Sequence, residues 1–353
     1  MGTLSSAAAS KLTPTPVHGF QWIRRAIAQV IVLVAGLGIL GMSYQVIATT
    51  YDRYRYPPPG QMIDVGGYRL HLYCSGVGSP TVILESGFGG NSLDWSLVQP
   101  EVAKFTQVCA YDRAGFGWSD SGPEPRDSDH IAHELHSLLS KAGITGPYIM
   151  VGHSFGGLHA RVFTQHYTKE VVGMVLVDAS HEDQDIRFSL VDPQGTKIAN
   201  AQEQQQLAFC QVLTPLGIKR LLSMLNKQEI SDLKLPAAVQ PVYSALNLRT
   251  SFCETLVQEL AAVDASNQQV RLARSLGALP LRVLSHGKAE GLSISAGRIA
   301  KGEAVWAELQ ADLTRLSTNS VQYIADMSGH YIQLDQPDLV IRAIHQVLVD
   351  ARP

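Results

Sequence analysis

Cysteine and charge are scarce in this chain of 353 residues. It has only four cysteines and no CxxC pair or Cys/His cluster, so neither a disulfide scaffold nor a structural zinc site is predicted. Charged residues make up 17% of the chain, the formal net charge is −3, and no long block of like charge occurs. These values argue against nucleic acid or an acidic polymer as a partner.

The chain does contain one long apolar segment near its N-terminus. Residues 26–48 hold only three polar side chains, and as a helix they would span about 34 Å, enough to cross a bilayer core. Arg24 and Arg25 precede the segment, which favours a cytoplasmic N-terminus with the rest of the chain across the membrane. We expect an uncleaved, single-pass anchor at 22–50. The alternative is a signal peptide cleaved after Ala48, which would release a secreted or periplasmic protein.

The remainder of the chain divides by composition. Residues 1–21 are small and polar and predict a disordered tail, and residues 51–60 are a proline-rich linker. Short apolar strands alternate with helical patterns over 61–180 and again over 280–353, which predicts one α/β core. Residues 181–279 lack apolar strands and are rich in Gln, Leu and Ala, so a helical cap inserted into the core is expected.

Eight short apolar segments have the length and composition of strands. Most are separated by a predicted helix, so a mostly parallel sheet flanked by helices is expected. In chain order they are Met62–Val65, Tyr68–Cys74, Thr81–Glu85, Gln107–Tyr111, Pro147–Val151, Val171–Val177, Leu281–Ser285 and Ser320–Ala325.

The most informative motif is Gly-x-Ser-x-Gly at residues 152–156. A strand precedes it and a helical pattern follows it, which is the context of a nucleophile elbow. A serine in so sharp a turn holds its hydroxyl clear of the backbone. Gly152 and Gly156 flank Ser154 because a Cβ at either position would collide across the turn. Ser154 is therefore the predicted nucleophile.

Four blocks in this order make the chain resemble the α/β-hydrolase superfamily. They are the elbow together with residues 84–90, 111–120 and 328–337. The closest resemblance is to capped serine esterases, in the lineage that includes proline iminopeptidases and cofactor-free haloperoxidases. It implies an α/β-hydrolase fold over roughly residues 62–350, with no metal and no organic cofactor.

The resemblance also implies a triad in the order serine, acid, histidine. His330 follows the last predicted strand and is the expected base. Asp178 ends the strand at 171–177 and is the favoured acid, and Glu290, after the strand at 281–285, is the alternative. Less favoured acids are Asp183, Asp185 and Asp264.

Other residues follow from the same resemblance. The backbone N–H groups of Phe88 and Phe155 would form the oxyanion hole, and Gly87 and Trp118 would contact substrate. Ser86 stands where the family often has histidine, so a side chain that braces the oxyanion loop is expected to be lost.

The four cysteines fall into two pairs in this fold. Cys74 and Cys109 lie on strands that the fold places side by side, and Cys210 and Cys253 both lie in the cap. Free buried thiols are the expected state. A disulfide between Cys210 and Cys253 could brace the cap if the domain lies outside the cytoplasm.

The expected function is that of a membrane-anchored serine carboxylesterase acting on small to medium hydrophobic esters. An aminopeptidase or amidase, an acyltransferase, or a slow ligand-binding receptor on the same scaffold remain alternatives. Epoxide hydrolases and haloalkane dehalogenases use a carboxylate where this chain has Ser154, and are disfavoured. Nothing in the sequence indicates the oligomeric state.

Overall fold

Eight strands form a single sheet in the computed structural model, which describes residues 19–226, 234–272, 275–289 and 296–352. The strands are β1 (Gln61–Asp64), β2 (Arg69–Ser75), β3 (Thr81–Glu85), β4 (Val108–Tyr111), β5 (Tyr148–His153), β6 (Val171–Val177), β7 (Leu281–His286) and β8 (Ser320–Ala325). Their order is β1-β2-β4-β3-β5-β6-β7-β8. The pairs β1–β2 and β2–β4 are antiparallel and the other five are parallel. The predicted eight-stranded, mostly parallel sheet is therefore confirmed.

Helices flank the sheet on both faces, as predicted for an α/β fold. The helices of the described residues, including α1 and those inserted after β6, are α1 (Gly19–Arg55), α2 (Gln99–Val102), α3 (Ser128–Lys141), α4 (Gly156–His166), α5 (Gln184–Val191), α6 (Pro193–Leu213), α7 (Ile218–Asn226), α8 (Gln240–Asn247), α9 (Thr250–Ala261), α10 (Val263–Leu272), α11 (Ala296–Leu313), α12 (Ile332–Asp335) and α13 (Pro337–Asp350). Short 3₁₀ turns cover Ser92–Trp95 and Thr314–Leu316.

The hydrophobic core lies in two layers because alternate side chains of a strand point to opposite faces of the sheet. On β5, Met150 joins the layer beneath α3 and α4, whereas Ile149 and Val151 join the layer beneath α13. All six residues of β5 are buried. The nucleophile motif therefore follows a central strand whose position is fixed on both faces.

The inserted helices lie between β6 and β7, but they do not all belong to the cap. Helix α10 packs on α3 and α4, and its Val270 is part of the core layer beneath them. The predicted cap range of 181–279 thus includes α10, whose apolar face is buried against core helices. We use the word cap for α5–α9.

The bounds of the N-terminal helix also differ from those predicted. Helix α1 is 37 residues long and is long and apolar enough to cross a membrane. It continues through Arg55, so the first half of the linker predicted at 51–60 is helical. Of the predicted tail at 1–21, residues 1–18 lie outside the described residues and residues 19–21 are helical.

Both cysteine pairs form disulfides, which corrects the expectation of free thiols. Cys74 and Cys109 face each other directly across β2 and β4, with their Cα atoms 4.0 Å apart. Cys210 near the end of α6 is bonded to Cys253 on α9, and the two are 43 positions apart in the sequence. The second disulfide ties together two cap helices.

Removing the disulfide between Cys210 and Cys253 should lower the free energy of unfolding. A cross-link that closes a loop of about 44 residues removes chain entropy from the unfolded state worth about 4 kcal/mol, and measured values are typically 2–4 kcal/mol. We expect a Cys210→Ala/Cys253→Ala double variant to unfold at correspondingly lower denaturant concentration.

Thiol titration checks the premise of this prediction. The denatured, unreduced wild-type protein should show no reactive thiol and the reduced protein should show four. Four thiols without reduction would contradict both disulfides. A Cys74→Ala/Cys109→Ala variant is the matched control for loss of a disulfide outside the cap.

Candidate active site

Ser154 lies in the turn that joins β5 to α4. Its φ is +51°, a conformation that costs energy for any residue with a Cβ. The flanking glycines make the turn possible: a Cβ on Gly152 would lie 2.7 Å from the carbonyl oxygen of Gly156, and one on Gly156 would lie 2.5 Å from the carbonyl oxygen of Ser86. The serine hydroxyl is thereby presented at the carboxyl edge of the sheet.

The structure brings Ser154, His330 and Asp178 together in one hydrogen-bonded chain. The Ser154 Oγ lies 2.9 Å from Nε2 of His330, and Nδ1 of the same ring lies 2.6 Å from Oδ2 of Asp178. These residues follow β5, β8 and β6, so three strand ends supply them. The arrangement allows His330 to take a proton from the serine while the carboxylate fixes the orientation of the ring.

Asp178 is held by more than His330. Its φ is +44°, and within the described ranges it and Ser154 are the two non-glycine residues with positive φ. Its carboxylate also accepts hydrogen bonds from the backbone N–H of His286 (3.0 Å), from Nδ1 of His286 (2.7 Å) and from the Trp306 indole (2.9 Å). Burial would raise the pKa of Asp178, but the hydrogen bonds from His286 and His330 hold it well below its usual range. The carboxylate is therefore ionised at neutral pH.

His286 is a member of the site that the sequence did not reveal. Its second ring nitrogen, Nε2, lies 2.9 Å from Oε2 of Glu303 on α11, so the ring bridges two carboxylates. Burial alone would lower the pKa of His286, but the hydrogen bonds and charges of Asp178 and Glu303 raise it to about 9. The signal available was its position at the end of β7, on the same sheet edge as Asp178.

Asp178, His286 and His330 also offer the atom types that bind metals, and their candidate ligand atoms lie within 4.8 Å of one another. The observed spacing fits hydrogen bonds better than coordination. Both Nδ1 atoms lie 2.6–2.7 Å from the same carboxylate oxygen, whereas two ligands on one tetrahedral zinc ion lie about 3.3 Å apart.

None of the alternative acids that the structure describes is paired with His330. Glu290 falls outside the described residues. Asp183 accepts a hydrogen bond of 2.8 Å from Arg271. Of the described candidates, Asp178 is therefore the one in contact with His330.

Phe88 and Phe155 flank Ser154, and their rings meet edge to face at 6.1 Å. Among the described residues, neither backbone N–H donates to a protein acceptor. The two groups lie on the loop after β3 and at the start of α4, so both are available to an oxygen atom bound beside Ser154.

The loop after β3, which carries Phe88 and is the predicted oxyanion loop, is braced in a way that corrects the expectation for Ser86. Its Oγ donates to the carbonyl of Asn91 (2.8 Å) and accepts from the indole of Trp95 (3.1 Å), so serine supplies a brace of its own. Gly87 packs directly on the nucleophile: a Cβ there would lie 3.1 Å from the Cβ of Ser154. The absence of a side chain at Gly87 lets this loop approach Ser154 closely. Gly87 does not line the cavities described below.

Trp118 does not line either cavity that meets Ser154. Asp112 accepts a hydrogen bond of 2.8 Å from the Trp118 backbone N–H. The indole donates to the carbonyl of Tyr56, 2.9 Å away. Trp118 therefore lies beside the end of α1, and its contact with substrate stays a prediction.

Arg113 is a buried cation that joins the oxyanion loop to the cap. It donates to the carbonyl oxygens of Ser86 (2.6 Å) and Gly87 (2.7 Å), and it forms ion pairs of 2.7 Å with Glu85 and with Glu259 of α9. Burial would lower the pKa of Arg113, but the charges of Glu259 and Glu85 raise it. The guanidinium fork thus sets the position of the loop that carries Phe88.

Two cavities meet at Ser154. The larger, about 830 Å³, has apolar walls contributed by α5, α6 and α11. The smaller, about 190 Å³, lies between the core and α9. The apolar side chains that line the larger cavity are Phe188, Val191, Ile198, Ile299 and Trp306. Those that line the smaller cavity are Phe88, Phe155, Leu158, Leu260 and Val263.

Comparison with known proteins agrees with this architecture. A family model described as alpha/beta hydrolase fold matches residues 80–211. An uncharacterized protein of Bacillus subtilis, YbdG, is 25% identical over 205 residues, which cover 57% of this chain and 60% of that protein. An uncharacterized vacuolar membrane protein of Saccharomyces cerevisiae, YNL115C, is 34% identical over 134 residues, 33% of this chain and 21% of that protein. The chain thus spans less than two thirds of these relatives' length.

Solved structures share the fold across most of the chain. An esterase from Thermogutta terrifontis is 19% identical with a TM-score of 0.54, covering 83% of this chain and 97% of its own. The epoxide hydrolase CorEH is also 19% identical, with a TM-score of 0.56 and coverage of 83% and 98%. Sheet order, the turn at Ser154 and the family model over residues 80–211 together show that the chain has the α/β-hydrolase fold.

Proposed function

We propose that the protein is a serine hydrolase that cleaves carboxylic esters of small to medium size. The observation that carries the proposal is the hydrogen-bonded chain from Ser154 through His330 to Asp178. A serine hydroxyl is a weak nucleophile until a base removes its proton, and this chain supplies both the base and the group that orients it. Solved neighbours with other activities share the fold alone, so they do not choose among substrates.

The reaction would proceed in two halves. In the first, Ser154 Oγ attacks the acyl carbon as its proton passes to Nε2 of His330, and the backbone N–H groups of Phe88 and Phe155 hold the oxyanion. Collapse breaks the ester bond, and the alcohol leaves with the proton from His330. In the second half, water attacks the acyl-enzyme with His330 as base and frees the acid and Ser154.

The two cavities support a division of the substrate. The smaller, which Phe88, Phe155 and Leu158 line together with polar side chains such as Asp185 and Glu203, would hold a short group on one side of the scissile bond. The larger lies within the volume range of drug-sized ligand sites and would hold the bulkier group.

His286 is proposed as a positioning residue. As an imidazolium between Asp178 and Glu303, it would hold the same carboxylate oxygen of Asp178 that accepts from His330. Asp178 keeps its charge because two rings and an indole donate to it.

We further propose that α1 anchors the protein in a membrane with the hydrolase domain on the non-cytoplasmic side. The length and apolar character of the helix support this, as do the basic residues Arg24 and Arg25 at its start. Both disulfides suit an oxidising compartment.

Replacing the nucleophile tests the hydrolase proposal. We expect a fluorophosphonate probe to label the wild-type protein covalently and Ser154→Ala to abolish labelling, because the probe reacts with an activated serine hydroxyl. p-Nitrophenyl esters of rising chain length would then report the preferred acyl size. Equal labelling of the wild type and of Ser154→Ala would contradict the proposal.

Replacing the acid tests the role of Asp178. Asn tolerates positive φ, so Asp178→Asn should keep the backbone while losing the charge. By the worked example of the serine protease triad, kcat should fall on the order of 10⁴-fold. Glu290→Gln is the matched control and should retain activity near that of the wild type. The reverse pattern would assign the acid to Glu290.

The raised pKa of His286 predicts a specific pH dependence of stability. Between pH 6.5 and about 9 the folded protein keeps a proton on His286 that the unfolded chain has lost, so stability should fall as pH rises through this window. One proton gives a slope of at most about 1.4 kcal/mol per pH unit. Denaturant unfolding across this range should show a shallower slope for His286→Gln. Parallel slopes for the two proteins would refute the bridging role.

A further inference from the structure

The cap contacts the last part of helix α1, whereas the first part of the helix is exposed. Gly41 contacts the loop before α7 so closely that a Cβ there would lie 2.4 Å from the carbonyl oxygen of Leu216. One turn further, Gln45 is buried and donates to the carbonyl of Leu248, 2.7 Å away. By contrast, the most apolar stretch of α1 has no buried residue.

An ion pair fixes α7 to the same end of α1. Arg220 of α7 is buried and its guanidinium lies 2.6 Å from the carboxylate of Asp52. Nearer the apolar segment, the Tyr44 hydroxyl lies 3.4 Å from the sulfur of Met224. Helix α7 therefore lies against α1 at the level of Tyr44, within the predicted membrane segment.

The outer face of α7 is apolar and is not covered by any part of the chain that the structure describes. Lys219 and Arg220 point inward, and Lys219 lies over the ring of Phe252 at 5.1 Å. The opposite face carries four exposed apolar side chains: Leu221 (51% exposed), Leu222 (45%), Met224 (67%) and Leu225 (69%). A short helix with its basic residues inward and a wholly apolar outer face is not suited to contact with water.

The length of α1 that precedes its first contact with the cap indicates what covers the apolar face of α7. With Arg24 and Arg25 among lipid headgroups, the hydrocarbon core begins near Ala26, and a core of about 30 Å needs about 20 helical residues, to position 45. The cap already contacts α1 at Gly41, only about 22 Å from Ala26. If α1 crosses the bilayer, this part of the cap lies below the outer boundary of the hydrocarbon.

We propose that α7 lies in the outer interface of the bilayer that α1 crosses, with its exposed apolar face among the upper acyl chains. This inference rests on the anchoring proposed above. Interfacial helices bury their apolar face by about 5–10 Å, which agrees with the shortfall of about 8 Å between Gly41 and the end of a 30 Å core. The occupant of the face is thus a lipid surface, rather than a second copy of the chain or another protein.

Quenching by brominated lipid tests this placement on the full-length chain in phosphatidylcholine vesicles. A Leu221→Trp variant should add emission that is quenched when the phosphatidylcholine is brominated on the upper part of its acyl chains. The matched control is Leu272→Trp, since Leu272 is an equally apolar, exposed residue on α10, which packs on core helices. Its added emission should be the same in brominated and ordinary vesicles. Emission of the wild-type protein, with four tryptophans, is subtracted from both.

Carbonate washing of the same vesicles separates the two proposals. Retained protein with quenching only in Leu221→Trp supports the placement of α7. Retained protein with no quenching at Leu221→Trp, or with equal quenching in both variants, overturns it and leaves the anchor standing. A retained protein whose added Leu221→Trp emission is shielded from water but not quenched assigns the face to a protein partner and also overturns the proposal. Protein released by carbonate removes the anchor, and the proposal falls with it.

Discussion

The carboxylate of Asp178 is the constraint on which the site depends. It is buried at a strand end in a left-handed conformation, and four N–H groups from His286, His330 and Trp306 converge on its two oxygens. A buried charge without such partners would be costly. With them, it fixes the histidine ring that faces Ser154 and connects three elements, the ends of β7 and β8 and helix α11.

The sequence was sufficient for what depends on local pattern. Strand length and alternation predicted the eight strands, and the glycines around Ser154 predicted the turn that a Cβ would obstruct. It was not sufficient where a side chain acts through contacts distant in sequence. His286 gave no motif because its role depends on Asp178, 108 positions earlier, and on Glu303 from a separate helix.

Trp118 and Arg113 illustrate the same limit within a single block. Both belong to the turn after β4, and the resemblance predicts substrate contact for Trp118 alone. The hydrogen bond from Trp118 to the carbonyl of Tyr56 places it beside the end of α1, whereas Arg113 reaches the oxyanion loop. Composition cannot separate these outcomes, because the turn geometry decides which side chain points toward the nucleophile. The limits of the cap depend on tertiary contacts in the same way, since α10 differs from the cap helices in what it packs against.

The ion pair between Arg113 and Glu259 has a consequence for how substrate reaches Ser154. It fastens α9 to the core, the disulfide fastens the end of α6 to α9, and Asp52 fastens α7 to α1. Opening the cap as one rigid body would therefore break an ion pair at each of its two attachments, to the core and to α1. Helix α5, which lines the larger cavity, is tied in turn to α11 by the ion pair between Arg187 and Asp312. A substrate thus meets a cap that is fastened to the core, to α1 and to α11.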